Sequence, residues 1–229
     1  MTAINMMVQP KARCGFLISD SAITAPDGTL LGMSSKVIHS AKGFPWAMGV
    51  TGNVAPEVVL RAVGEASPLT LKQMEKRLPG ALRRAVKETA ETSGCIAFCQ
   101  LKGVVWNFAR KRPEGFTMQS EPGETADGQT IEPFVWYELD WMLGTHEPAG
   151  DLLGREVDVT DPASFDPEHD GLALITAQRS RPVVNITPGI EEGHCRIGGE
   201  IDLTEVRKTG VQVFSIGMFA DRVGTRIAA

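Results

Sequence analysis

Over its first 52 residues the chain alternates strand-length apolar runs with short polar breaks, and beyond them the apolar period lengthens to that of a helix. The runs "AINMMVQ" (3–9) and "CGFLISDSA" (14–22) are parted by the turn-forming "PKAR". "APDG" marks a second turn, "TLLGMSSKVIHS" (29–40) a further extended segment, and "AKG" turns the chain into "FPWAMGVTG" (44–52). Gly52 ends that run, at a position where a second backbone can come close. In "NVAPEVVLRAVGEA" (53–66), Val58, Val59, Ala62 and Val63 fall on one helical face, and Pro56 suits the first turn. A second helix is predicted within 67–94, opened by Thr70 as N-cap, closed by Gly94, and broken or kinked at Pro79-Gly80.

Strands return after Gly94. "CIAFCQLKG" (95–103) and "VVWNFARKR" (104–112) read as a hairpin, with Cys95 and Cys99 on one side of the first strand. Residues 113–165 mix a polar, Gly- and Pro-rich stretch with the aromatic, strand-like "FVWYELDWML", and their pattern assigns no detailed structure. "DPEHDGLALITAQRS" (166–180) predicts a third helix with Asp166 as candidate cap, and "CRIGGEIDLTEV" and "GVQVFSIG" predict a closing strand pair joined by "RKTG". Strands, two helices, more strands, a helix and a last strand pair give an α+β order, not a βαβ one. With no repeat and no linker visible, residues 1–229 are expected to form a single domain.

Charge and composition narrow the function classes. A net charge of −5 with no basic stripe argues against nucleic acid as partner, and "KRLPGALRRAVK" reads as a solvated helix face. No apolar run reaches the ~18–20 residues of a membrane span, and "MTAINMMVQP" lacks the features of a signal peptide, so a cytoplasmic location is expected. The four cysteines form no CxxC and no ligand-spaced cluster with the histidines or carboxylates. Reduced thiols, no metal and no cofactor are therefore expected.

What remains are Asp20 and Lys36, lone charges inside runs that otherwise read as buried strand. Two readings are open for them: a structural ion pair between neighbouring strands, or part of a reactive site. Thr2, second in the chain, carries no weight alone, and Gly52 can be a plain strand-ending glycine.

Taken together, the early Thr, "SDSAIT", "SSKV" and "GVTGNVAPEVVL" resemble the start of a proteasome β-type subunit, of the N-terminal-nucleophile (Ntn) hydrolase superfamily. The spacing of Asp20, Thr24 and Lys36 is that of the family, while Thr2 lies about two residues further from Asp20, a difference that "QPKAR" can absorb. The late "IGGEIDLTEV" resembles the family's Gly-Gly strand entry. The resemblance implies a four-layer αββα sandwich, two antiparallel sheets flanked by helices. It also implies threonine-type hydrolysis of peptide or amide bonds and a homo-oligomeric, ring-like assembly.

Carried over, Thr2 is the nucleophile, its α-amine the base, Lys36 the electrostatic partner, Asp20 the counter-ion of Lys36, and Gly52 N–H an oxyanion donor. Thr24 would offer its backbone to an extended peptide substrate, and Ile23, Val50 and Val54 would line an apolar pocket. The chemistry asks for such groups. A hydroxyl needs a base, a free α-amine titrates at about 7.7–8.0, and a buried ammonium needs a counter-ion. While Met1 remains, the Thr2 nitrogen is an amide and cannot be that base, so activity requires loss of Met1.

The pattern also departs from the family. The mid-chain Gly-Ser-Gly is missing, and the Asp and Ser expected before the Gly-Gly pair fall on His194 and Ile197, leaving His194 as a replacement polar partner. A catalytically inactive structural or assembly subunit on the same fold is thus the alternative. The closing "ADRVGTRI" resembles proteasome-like proteins of tailed-phage and prophage gene clusters, which would make that subunit virion- or tail-associated.

Overall fold

The computed structural model describes residues 3–66, 68–124, 130–145, 147–181 and 194–228. The opening hairpin pairs β1 (Ile4–Gln9) with β2 (Cys14–Asp20) around the turn at Pro10–Arg13, in register from Ile4↔Ser19 to Gln9↔Cys14. The chain then leaves as a short ribbon, β3 (Ala22–Thr24) against β4 (Leu30–Met33), with an irregularity between Ile23 and Thr24. β5 (Val37–His39) and β6 (Trp46–Gly52) begin a second large sheet, and α1 (Pro56–Ala66) and α2 (Leu71–Ser93) follow.

α2 starts where Thr70 Oγ1 accepts the Gln73 amide and ends at Gly94 in the left-handed conformation. It runs through Pro79 without a break. Met74, Leu78, Ala81, Leu82 and Ala85 are buried on one face, and that packing outweighs the single hydrogen bond the proline removes.

The expected hairpin break after Gly103 is also corrected. β7 (Cys99–Asn107) is one strand, and it turns at 108–111 into β8 (Arg112–Gln119). Gly103 is small for a different reason: a Cβ there would lie 2.3 Å from the Phe116 ring. Cys95 precedes the strand and is exposed, whereas Cys14, Cys99 and Cys195 are buried, all four as free thiols.

Residues 113–165 resolve into small pieces: β9 (Gly123–Glu124), β10 (Thr130–Ile131), β11 (Tyr137–Glu138), β12 (Trp141–Met142) and α3 (Ala149–Leu153). β11 pairs with β8 and β12 with β1, so "FVWYELDWML" crosses from one large sheet to the other within six residues. α4 (His169–Arg179), β13 (Glu200–Arg207) and β14 (Gly210–Met218) complete the order.

The expectation of a four-layer αββα sandwich made of two antiparallel sheets needs correction. Four antiparallel sheets form among the described residues: two of five strands (β12-β1-β2-β13-β14 and β11-β8-β7-β6-β5) and two of two strands (β10-β9 and β3-β4). The ribbons separate because β3–β4 departs directly after Asp20, and because Gly123–Glu124 pairs with Thr130–Ile131 and, among the described residues, with no other strand. The described residues are mixed α/β, with four helices among them, one of them five residues long.

Ile4, Met6, Leu17, Val37, Ala47 and Val104 form the apolar layer where the large sheets meet. Their approach is set by glycine: a Cβ on Gly15 would overlap Val104 and one on Gly49 would overlap Ile4. Separate apolar clusters join α1 and α2 to Val50, Leu101 and Phe116, and α3 and α4 to Phe16, Ile18 and Leu203.

Candidate active site

The start of β1, the end of β2 and the entry to β5 converge on the Asp20 carboxylate, which is 1% exposed. Lys36 Nζ donates to Asp20 Oδ1 at 2.7 Å. The Ala3 amide donates to the same oxygen at 3.1 Å, and the Asp20 amide donates back to the Ala3 carbonyl at 3.2 Å. Oδ2 accepts the Ala22 amide at 3.3 Å and the Gly198 amide at 3.0 Å. One buried carboxylate therefore holds an ammonium and three backbone N–H groups, which offsets the cost of taking it out of water.

Lys36 reaches this point because Ser34 N is tied to Ser21 O and Val50 N to Lys36 O, at 2.9 Å each, so the loop from β4 turns the lysine inward. Burial lowers the pKa of Lys36, and Asp20 opposes that shift. Lys36 and Val50 thus face each other across the start of the β5–β6 pairing, and Gly52 lies two residues further along β6. Gly52 has φ +113°, and a Cβ there would lie 2.2 Å from Phe98 O, so the position takes only glycine on both counts. The turn beyond it is clamped by Asn53, whose side chain donates to Ile96 O and accepts Phe98 N, both at 2.8 Å.

Asp20, Lys36 and the β6 end carrying Gly52 are therefore brought to one end of the large sheets. Thr2 lies outside the described residues, whereas Ala3, bonded to it in the chain, is the residue held on Asp20. Thr24 is half-buried and Ile23 exposed, both on β3. Val50 and Val54 are buried in the apolar cluster with α1 and α2. His194 packs beside Gly28, and Ile197 is buried with its carbonyl facing Arg179.

Other residues at this end of the molecule escaped the sequence reading. The segment 143–145 lies against Ala3 and Ile4, closely enough that a Cβ on Gly144 would sit 3.0 Å from Ile4 N. Asn5 and Gln178, both buried, exchange side-chain hydrogen bonds of 2.9 and 2.8 Å, and Asn5 Oδ1 also accepts the Gly144 amide at 2.8 Å. Gln178 Nε2 is 3.4 Å from the Thr145 hydroxyl. Lys102, 4% exposed, donates to Ile4 O at 3.1 Å and Leu143 O at 2.6 Å, and burial pulls its pKa down to about 7. Asn5 and Gln178 are 173 residues apart and left no pattern to read. Lys102 did leave one: it is a lone charge in an apolar run, the signal that marked Asp20 and Lys36.

Among the described residues no group of three or more His, Cys, Asp or Glu side chains can hold a metal ion, and no helix is long and apolar enough to cross a membrane.

No protein-family model and no curated protein matches the chain. Solved structures do resemble it. Anbu (ancestral beta-subunit) from Yersinia bercovieri superposes with a TM-score of 0.59 at 10% identity, over 94% of this chain and 87% of that one. The Gly-1 mutant of Anbu from Hyphomicrobium sp. strain MC1 superposes with a TM-score of 0.60 at 14% identity, over 95% and 87%. The chain therefore shares its overall fold with these Anbu structures. The narrower assignment, to the proteasome β-type subunits with a phage or prophage origin, is corrected: the likeness is to Anbu structures, at 10–14% identity, with no family model behind it.

Proposed function

We propose that the chain is a threonine-type Ntn hydrolase that cleaves peptide or other amide bonds once Met1 has been removed. The observation that carries this is the sharing of Asp20 Oδ1: Lys36 Nζ and the Ala3 amide both bind it, so the residue following Thr2 is anchored at a buried ammonium. The freed Thr2 α-amine takes the proton of the Thr2 hydroxyl, and Oγ attacks the substrate carbonyl carbon. The Lys36 ammonium lowers the pKa of the amine and favours the developing negative charge, with Gly52 N–H as oxyanion donor. Collapse breaks the C–N bond, the leaving amine takes the proton from the Thr2 ammonium, and water then hydrolyses the ester.

β3 pairs only with β4 among the described residues, which supports Thr24 as a backbone partner for an extended substrate. Ile23, Val50 and Val54 are the proposed apolar neighbours of the substrate side chain. We extend the proposal to a homo-oligomer. Its support is the uncharged edge strand β14, on which Val213, Phe214 and Met218 are exposed.

The test is intact mass followed by an electrophilic peptide probe. A mass short by one Met, with a single covalent adduct on Thr2 that is lost in Thr2→Ala, supports hydrolysis. A protein that keeps Met1 and takes no adduct leaves the Asp20–Lys36 pair as scaffold and supports the inactive assembly subunit. Light scattering at known concentration tests the oligomer.

A further inference from the structure

Two consecutive backbone amides behind the Asp20 site are bound by two different carboxylates. Gly198 N donates to Asp20 Oδ2 at 3.0 Å, and Gly199 N donates to Asp221 Oδ2 at 3.1 Å. Asp221 is in turn gripped by Arg179 of α4 in a two-pronged pair, 2.7 Å at each prong, with both side chains largely out of water. The same two terminal nitrogens of Arg179 also donate to Ile197 O at 3.1 Å and Ala228 O at 2.6 Å, and the guanidinium lies 4.2 Å from the Phe219 ring centroid. The Phe219 amide closes back onto Gly199 O at 2.9 Å.

The turn 197–199 is thus fixed from behind by Arg179 and Asp221, and its front face carries both the Asp20 contact and the Gly198 carbonyl. That carbonyl accepts Ser21 N at 3.2 Å and Ala22 N at 3.0 Å, so the same turn sets the path of the chain leaving Asp20. There is no slack: a Cβ on Gly198 would lie 2.4 Å from Asp221 Oδ2.

We propose that Arg179 and Asp221 are positioning residues for the Asp20–Lys36 site, acting through the Ile197–Gly199 turn. Their role as aids to catalysis rests on the hydrolase reading above, whereas the mechanical coupling does not. Neither residue touches Asp20 or Lys36; each fixes the backbone that does. Without the two-pronged pair to Arg179, the Asp221 oxygen that accepts Gly199 N is no longer held in place and the turn can rotate. Asp20 then loses the Gly198 donor and becomes a less well oriented counter-ion for Lys36.

The experiment is residue-resolved amide exchange and lysine side-chain titration by NMR on the full chain, comparing wild type with Asp221→Asn and Arg179→Lys. Asp221→Asn is expected to speed exchange at Gly198 and Ala22 by about tenfold or more while Val105 in β7 is unchanged, because the opening is local. Lys36 should titrate at lower pH than in wild type. Arg179→Lys, which keeps the charge but loses the fork, should show a smaller change in the same direction.

If Asp221→Asn does not fold, the double variant Arg179→Met/Asp221→Leu removes both charges together and carries the same readouts. Unchanged Gly198 exchange and Lys36 titration in a folded variant would overturn the proposal, as would a uniform rise that includes Val105. Both measurements need no turnover, so a wild-type protein that takes no probe on Thr2 overturns the hydrolase reading and leaves this one standing.

Discussion

Lys36 meets the Asp20 carboxylate at 2.7 Å, while Lys102, about as deeply buried, meets only the carbonyl oxygens of Ile4 and Leu143 among the described residues. A carbonyl offers a partial charge and cannot balance an ammonium, so burial acts on Lys102 unopposed and brings its pKa to about 7. At Lys36 the same penalty is resisted by Asp20. One lysine has a carboxylate partner beside the start of β1, and the other, held on Ile4 O, stands at the edge of neutrality. Burial alone does not distinguish the two lysines; the counter-ion does.

The largest expected effect breaks the Lys36 side of the contrast. Asp20→Ala would strand Lys36 without a carboxylate and leave the Ala3 and Gly198 amides without that acceptor, while the Ala22 amide keeps Gly198 O. A loss of about 3–5 kcal/mol is expected, read from the midpoint of urea unfolding.

Lys102 gives the next effect, as a pH dependence. Its folded pKa lies below its ordinary value of 10.5, so the unfolded chain binds more protons between about 7 and 10.5, and stability should rise with pH through that range. The window to use is pH 7 to 9, where Lys36, also lowered by burial, adds to the rise. Above it, unfolding frees the thiols of Cys14 and Cys99, which burial holds up at about 12, and that works in the opposite direction. Lys102→Met should flatten the rise, measured as urea midpoints at pH 7, 8 and 9; an unchanged slope would break the comparison.

A smaller change in stability is expected from Lys36→Met. Asp20 keeps three backbone donors, so the cost should be about 1–2 kcal/mol, while covalent labelling of Thr2 is lost entirely. The smallest effect is a control: Lys11 forms a 2.8 Å pair with Asp161 in open water, and Lys11→Ala should leave the unfolding midpoint unchanged.

The same contrast shows where the sequence could be read. Asp20 and Lys36 stood out because a lone charge in an apolar run has to be paired or expelled, and the 14–22 and 29–40 runs were long enough to show it. Lys102 carries the same signal but escaped the reading, because its run reads as ending in a hairpin turn after Gly103. In the fold Gly103 is a strand position emptied for the Phe116 ring. α2 and its two ends were legible from Thr70, Gly94 and the apolar spacing.

β11 and β12 were not legible, since a two-residue strand has no period and its sheet is chosen by partners far along the chain. Nor were Asn5 with Gln178 or Arg179 with Asp221, where each partner is unremarkable until folding brings them together.

The double hydrogen bond between Ala3 and Asp20 has a practical side. A purification tag fused ahead of residue 1 would begin within a few residues of the Ala3 amide held on Asp20 and would keep the Thr2 nitrogen acylated, so a tagged preparation would report an inert protein whatever its native chemistry. A tag after residue 229 is little better, because Gly224, Thr225 and Ile227 are hydrogen-bonded along residues 28–30 and Arg179 holds Ala228. The tight turn between β13 and β14, at Lys208 and Thr209, is exposed on both residues. That turn is the place to insert an affinity sequence or a fluorophore.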